Sequence, residues 1–161
     1  MGLNFKKNLC ILESKPEDKK PFAKRLLFLM KSHNSFVKVR YAETDQMGVV
    51  HHGNYPQYLE IARIEWLEAL GISYKSLEKE GVMLPVFELN VKYHKPVTFD
   101  EKLKIETRLR ELPNVKITFD YFIFNEKGEK VTSASSILVF MDSKTRRPIR
   151  CPENILEKLK D

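Results

Sequence analysis

The reactive side chains of this sequence concentrate in one stretch, Tyr41-Ala-Glu-Thr-Asp45-Gln-Met-Gly48-Val-Val-His51-His52-Gly-Asn54-Tyr55. A carboxylate, a short glycine-containing loop and two histidines lead straight into a segment with helical periodicity. The first turn of a helix leaves backbone N–H groups without intrahelical partners and carries a partial positive charge. Such an end suits an anion or a developing oxyanion. A carboxylate held beside it completes a minimal hydrolytic constellation, with a base or nucleophile on one side and oxyanion donors on the other. Other chemistries lack their signatures. There is no GxSxG nucleophile elbow, no GxxxxGK[ST] phosphate loop and no GxGxxG fingerprint. Adjacent His51 and His52 do not normally offer both rings to one ion, so no metal site is expected.

The elements that must position this stretch follow from periodicity. Residues 35–42 alternate as a strand. Residues 55–70 read as the one long helix. Asn54 is its expected N-cap and Pro56 sits in its first turn. Tyr55, Leu59, Ala62, Trp66 and Leu70 form an apolar stripe, and Gly71 terminates it. Glu60, Arg63 and Glu68 lie off the stripe, with Glu60 and Arg63 spaced to pair on the surface. A short helix is expected over 73–80. After it come strands over 84–95, 102–112, 115–123 and 130–142, the last two joined at Asn125-Glu-Lys-Gly128. A terminal helix is expected over 152–160. One dominant helix followed by a meander of strands predicts an α+β fold with an antiparallel sheet. One helix covers one sheet face, and Phe122 and Phe124 beside Phe119 and Tyr121 leave apolar surplus. A partner subunit is the expected cover.

Composition narrows the function classes. The 161 residues are 42% hydrophobic and 31% charged, as in an ordinary globular chain long enough for its own core. The net charge of +6 suggests nucleic acid until it is divided. Residues 1–29 hold seven Lys/Arg against three acids, and the other 132 residues carry only +2. A nearly neutral body argues against a nucleic-acid footprint. No apolar run approaches the length of a membrane span. Two cysteines without a CxxC exclude a cysteine-type zinc site and point to a reducing, cytoplasmic setting. Residues 1–34 form a basic extension before a body over 35–161. Within it, 21–31 is a candidate short helix with Phe22, Leu26, Leu29 and Met30 on one face. That face reads as a strap docked on the body, as a membrane-surface or partner-binding helix, or as a dispensable extension before a second start at Met30.

The stretch Asp45-x-x-Gly48-Val-Val-x-His52-x-Asn54-Tyr55-x-x-Tyr58-x-Glu60-x-x-Arg63 resembles the hotdog-fold acyl-CoA thioesterases of the 4-hydroxybenzoyl-CoA thioesterase and YbgC type. The ending Val91-Lys-Tyr-His-Lys-Pro96, the turn Phe99-Asp100-Glu101 and the strand Ala134-Ser-Ser-Ile-Leu-Val139 agree with it. The resemblance covers about 35–150. It implies a long helix wrapped by a five- or six-stranded antiparallel sheet, paired into dimers or tetramers with the site at the dimer interface. It implies an acyl-CoA substrate and no metal or redox cofactor. Asp45 matches the catalytic carboxylate, as nucleophile or general base. Gly48, Val50, His51, His52, Asn54 and Tyr55 fall on the pocket and oxyanion segment, with His51 standing where many relatives have Tyr. Lys92, Lys95, Arg146 and Arg147 are candidates for the coenzyme A phosphates.

Each of these residues also has a plainer reading. Asp45 suits a turn cap, Gly48 a left-handed turn, and Asn54 a helix cap. Tyr58 and Trp66 suit core packing. His94 reads as a strand residue without chemistry, and the four basic residues as solvated surface. Two rival functions share the fold: hydrolysis of acyl–carrier protein, and acyl-CoA binding without turnover.

Overall fold

Residues 31–160 are described in the computed structural model. The helix expected over 21–31 lies outside them except for Lys31. Strand β1 (Ser32–Lys38) opens the chain, and the long helix α1 (Tyr55–Ala69) and short helix α2 (Tyr74–Lys79) follow. Then come β2 (Val82–Met83), β3 (Val86–Tyr93), β4 (Lys102–Leu109), β5 (Lys116–Phe124), β6 (Lys130–Val139), β7 (Met141–Asp142) and helix α3 (Glu153–Lys160). The five long strands form one antiparallel sheet in the order β1-β4-β5-β6-β3, and β2 pairs with β7.

This order corrects the expected meander. Only β4, β5 and β6 run hairpin to hairpin. Strand β3 crosses to the far edge and pairs with β6, while β4 pairs back to β1. The first strand also starts earlier than its apolar alternation suggests. Ser32, His33 and Asn34 pair with Arg108, Thr107 and Glu106, so partners in β4 extend it through polar residues. It stops before Tyr41, where Tyr41–Glu43 curls into a 3-10 turn closed by the Glu43 carboxylate on the Arg40 N–H, 2.7 Å.

Alternation delivers the core. Leu103, Ile105 and Leu109 of β4 and Ile117, Phe119, Tyr121 and Ile123 of β5 are buried on the helix-facing side. Burying one such large apolar side chain contributes about 1.5–3 kcal/mol. Helix α1 packs chiefly over β1 and β4. Trp66 meets the Phe119 ring edge-on at 4.9 Å, and its indole N–H donates to the Lys31 carbonyl at 2.9 Å. Gly71, at φ +69°, ends the helix one residue beyond Leu70, which is half-buried. The surface pair expected of Glu60 and Arg63 is not formed, because Arg63 turns inward and is 6% exposed.

The outer face answers part of the apolar surplus within the chain. The Arg108 guanidinium lies 4.9 Å from the Phe122 ring centroid, and Lys130 stands over the same ring. Lys104 covers Phe124, also at 4.9 Å. Long cationic side chains shield aromatic faces this way while keeping their charge in water. Lys116 covers Phe87 of the β3 edge in the same way, at 4.3 Å, and exposed large apolar side chains remain at both sheet edges, among them Phe36 on β1 and Leu89 and Tyr93 on β3.

Candidate active site

The site is built on a loop clamped between a strand end and a helix start. Thr44 bridges Val50, Val49 bridges Thr98, and the Val50 N–H donates to the Val97 carbonyl at 2.8 Å. Within this loop the Asp45 N–H donates to the Val49 carbonyl, and the Gly48 N–H donates to the Asp45 carbonyl at 2.9 Å. Asp45 Oδ1 accepts the Met47 N–H at 2.8 Å. One carboxylate oxygen therefore fixes the side chain as an Asx turn does. Oδ2 has no hydrogen-bond donor among the described residues.

Gly48 sits at φ +74°, and the place a Cβ would occupy has nothing within 4 Å, so backbone conformation rather than space selects glycine. Gly48→Ala is expected to lower stability by about 1–2 kcal/mol and to weaken activity by loosening the Asp45 turn. Thermal melts beside turnover assays check this. An unchanged melting temperature would mean the turn adopts another geometry freely.

Glu43 anchors the loop from beneath. Its carboxylate is buried and accepts the Tyr58 hydroxyl at 2.7 Å, along with the Arg40 backbone N–H and guanidinium. Its carbonyl accepts the His51 N–H at 2.9 Å and the Asn54 side-chain amide at 2.8 Å. Burial alone would raise the Glu43 pKa, but the Arg40 and Tyr58 hydrogen bonds outweigh it and hold the carboxyl below its ordinary value. The Tyr58 hydroxyl moves the other way, driven up by burial and by its bond to that carboxylate.

Asn54 occupies the cap position of α1 without capping it. Its amide is committed to the Glu43 carbonyl, so the expected cap is replaced by a tie between loop and helix. His51 instead caps the 3-10 turn His52–Asn54 that precedes the helix, its Nδ1 accepting the Gly53 N–H at 3.1 Å and its ring lying 4.1 Å from that of His52. Tyr93 reaches across from β3, donates its hydroxyl to the His52 carbonyl at 3.2 Å, and sets its ring 4.9 Å from that of Tyr55. Burial raises the Tyr55 pKa, so it stays a neutral hydroxyl at physiological pH.

Asp45, Val50, His52, Tyr55 and Lys95 come together around a cavity of about 290 Å³. Asp45 is the one acidic side chain lining it. Gly48, His51 and Asn54 build its walls from behind rather than line it. Lys92, Arg146 and Arg147 are not among its lining residues. Arg146 lies against the Met83 sulfur at 3.4 Å, in the turn after β7. Lys95 lines the cavity, yet its ammonium is paired with Glu129 at 2.6 Å. Among the described residues no group of three or more His, Cys, Asp or Glu is placed to hold a metal ion.

Three contributors go beyond the sequence reading. Tyr93 and His94 line the cavity, His94 lying just past the end of β3 with its Nε2 2.8 Å from Ser133 Oγ. Glu43 is the third, in a segment that reads as plain loop. Its signal is the opposite charge of Arg40 at i, i+3, which closes a capping box.

With this geometry in place, the fold and the loop-to-helix site define a hotdog-fold thioester hydrolase. Residues 39–159 match the thioesterase-like superfamily, and the chain belongs to it. The DHNA-CoA thioesterase structure from Staphylococcus aureus superposes with a TM-score of 0.72 at 41% identity, covering 74% of this chain and 80% of that one. The Escherichia coli acyl-CoA thioester hydrolase YbgC is 30% identical over 77% of this chain and 92% of its own. A chloroplastic acyl-acyl carrier protein thioesterase of Arabidopsis thaliana is 35% identical over 78% of this chain and 66% of its own. No helix among the described residues is long and apolar enough to cross a membrane.

Proposed function

We propose that the protein hydrolyses acyl-CoA thioesters to a free acid and coenzyme A, with Asp45 as the catalytic carboxylate. The observation that carries this reading is the lone acidic side chain of the cavity, held in a rigid turn beside the start of α1. Asp45 takes a proton from the water that attacks the thioester carbon, or attacks that carbon itself to give a mixed anhydride that water then hydrolyses to the free acid. Backbone N–H groups at the helix start stabilise the oxyanion as charge develops, and the thiolate of coenzyme A leaves. His52, Tyr55 and Val50 shape the pocket around the thioester. The relatives named for acyl-CoA hydrolysis support the coenzyme A carrier. The exposed β3 edge adjoins the cavity through Tyr93, and a second copy paired there would close it.

Thiol release from short, medium, long and aromatic acyl-CoAs tests the reading. Robust release from at least one is expected. The carrier-protein relative at 35% identity favours one alternative, transfer of the same chemistry to acyl–carrier protein. Turnover of acyl–carrier protein with no release from any acyl-CoA would replace the first reading with the second.

A further inference from the structure

Arg63 is a buried guanidinium without a counter-ion. It is 6% exposed, its Nε has no hydrogen-bond partner, and none of the salt bridges among the described residues reaches it. Burying a charge this way is costly unless something pairs with it. The guanidinium stands close enough to the Tyr121 and Tyr74 hydroxyls to act on both, against the upward push that burial gives each. Tyr121 is bonded to Ser136 Oγ at 2.9 Å, and Thr107, its neighbour across β4, has a buried hydroxyl with no partner. A cation and a set of hydroxyls therefore meet under α1 with unused hydrogen-bonding capacity, and although Glu60 and Glu78 also act on Tyr74, no carboxylate among the described residues forms an ion pair with the cation.

The place of this cluster relative to Asp45 gives it meaning. Helix α1 lies over β1 and β4, which leaves the helix-facing side of β3 open. Tyr93, Val91 and Leu89 succeed one another along that side, paired with Thr132, Ala134 and Ser136. Tyr93 lines the catalytic cavity, and Leu89 sits beside Ser136, in the Arg63 cluster. The separation from Tyr93 to Leu89 is about 13 Å along the strand. From Tyr55 to Arg63 it is about 12 Å along the helix, and side chains lean toward the helix N-terminus, which brings the guanidinium nearer. Strand and helix thus give the same span, floored by apolar residues, with the carboxylate at one end and the unpaired cation at the other.

We propose that Arg63, with Tyr121 and Ser136, receives the far end of the acyl chain, and that the preferred substrates carry a carboxylate there. This rests on the acyl-thioester reading of the Asp45 site. A carboxylate supplies the charge-assisted acceptor that Arg63 lacks, and a chain ending in methyl leaves the cation unpaired.

The test compares two acyl-CoAs of equal chain length, one ending in methyl and one in carboxylate. Each is assayed for thiol release with the full-length protein, Arg63→Met and Arg63→Lys. The wild type is expected to favour the carboxylate end by about tenfold or more in kcat/KM. Arg63→Met is expected to collapse that ratio and Arg63→Lys to retain part of it. The ratio within one preparation does not depend on the fraction folded, so a destabilised variant still gives an answer. A wild type that favours the methyl end overturns the proposal, as does an Arg63→Met variant with an unchanged ratio, and both leave acyl-CoA hydrolysis standing. Absence of release from either substrate and from the wider panel overturns both readings together.

Discussion

Asp45→Asn is expected to lower kcat/KM for thiol release by roughly 10²–10⁴-fold with little change in melting temperature. The separation of the two effects comes from how the side chain is used. Oδ1 accepts the Met47 N–H, a bond the amide oxygen of Asn also makes. The turn, the bridge from Thr44 to Val50 and the contacts to Val97 are backbone features that the substitution leaves alone. What Asn loses is the negative charge and the basic Oδ2 that no donor among the described residues occupies. A nucleophile and a general base fail equally here, but they differ in one product. Single turnover in ¹⁸O-water leaves label in the Asp45 carboxylate only if that oxygen attacked carbon. An Asp45→Asn protein with near-wild-type turnover would move the chemistry to another group, and His52 and His94 are the remaining titratable side chains of the cavity besides Lys95 and the two tyrosines.

How much of this is legible in the sequence depends on how local each feature is. Helix α1 announces itself through Pro56, the stripe from Tyr55 to Trp66 and Gly71, because these act within a few residues of one another. Strands β4 and β5 are equally plain, since their buried and solvated sides alternate residue by residue. The Asn125–Gly128 turn needs only the Asn125 side chain accepting from Lys127 and Glu129, and a glycine at φ +74°. Strand order is not legible, because the pairing of β3 with β6, from Tyr93 with Thr132 to Val86 with Leu138, is a long-range contact that no local pattern encodes. Three polar residues, Arg63 and Glu43 buried and Asn54 half-buried, escape for a related reason. Periodicity assigns charge to the solvent side, so it puts Arg63 outside. The partner of Glu43 is Tyr58, fifteen residues on. The role of Asn54 depends on a carbonyl eleven residues back that competes with capping. The loop-to-helix motif locates the site, but the struts that hold it rigid become visible only in three dimensions.

Glu43→Ala is expected to be the most damaging change outside the cavity, with a loss of about 2–3 kcal/mol in stability and about 10²-fold in kcat. The stability term comes from the Tyr58 hydroxyl, which is left buried without an acceptor. The Arg40 side chain adds little, because it is 72% exposed and its loss is screened by water. The kinetic term comes from place. Glu43 is tied to α1 through its carboxylate and to His51 and Asn54 through its carbonyl, two residues before Asp45. Removing the carboxylate lets the catalytic loop drift from the helix start, which should reduce kcat more than it raises KM. Two measurements separate positioning from bulk stability. Adding Tyr58→Phe to Glu43→Ala removes the orphaned hydroxyl and should restore much of the melting temperature without restoring kcat. Acidification supplies the other. The folded-state pKa of Glu43 is depressed, so its contribution is fully present above the ordinary carboxyl value of 4.5 and is lost as pH falls through the folded value. Glu43→Gln should therefore flatten the fall of melting temperature on the acid side while leaving the neutral-pH limb parallel to wild type. If the double variant recovers stability and kcat together, Glu43 serves the fold alone, and Asp45 is held by its own turn.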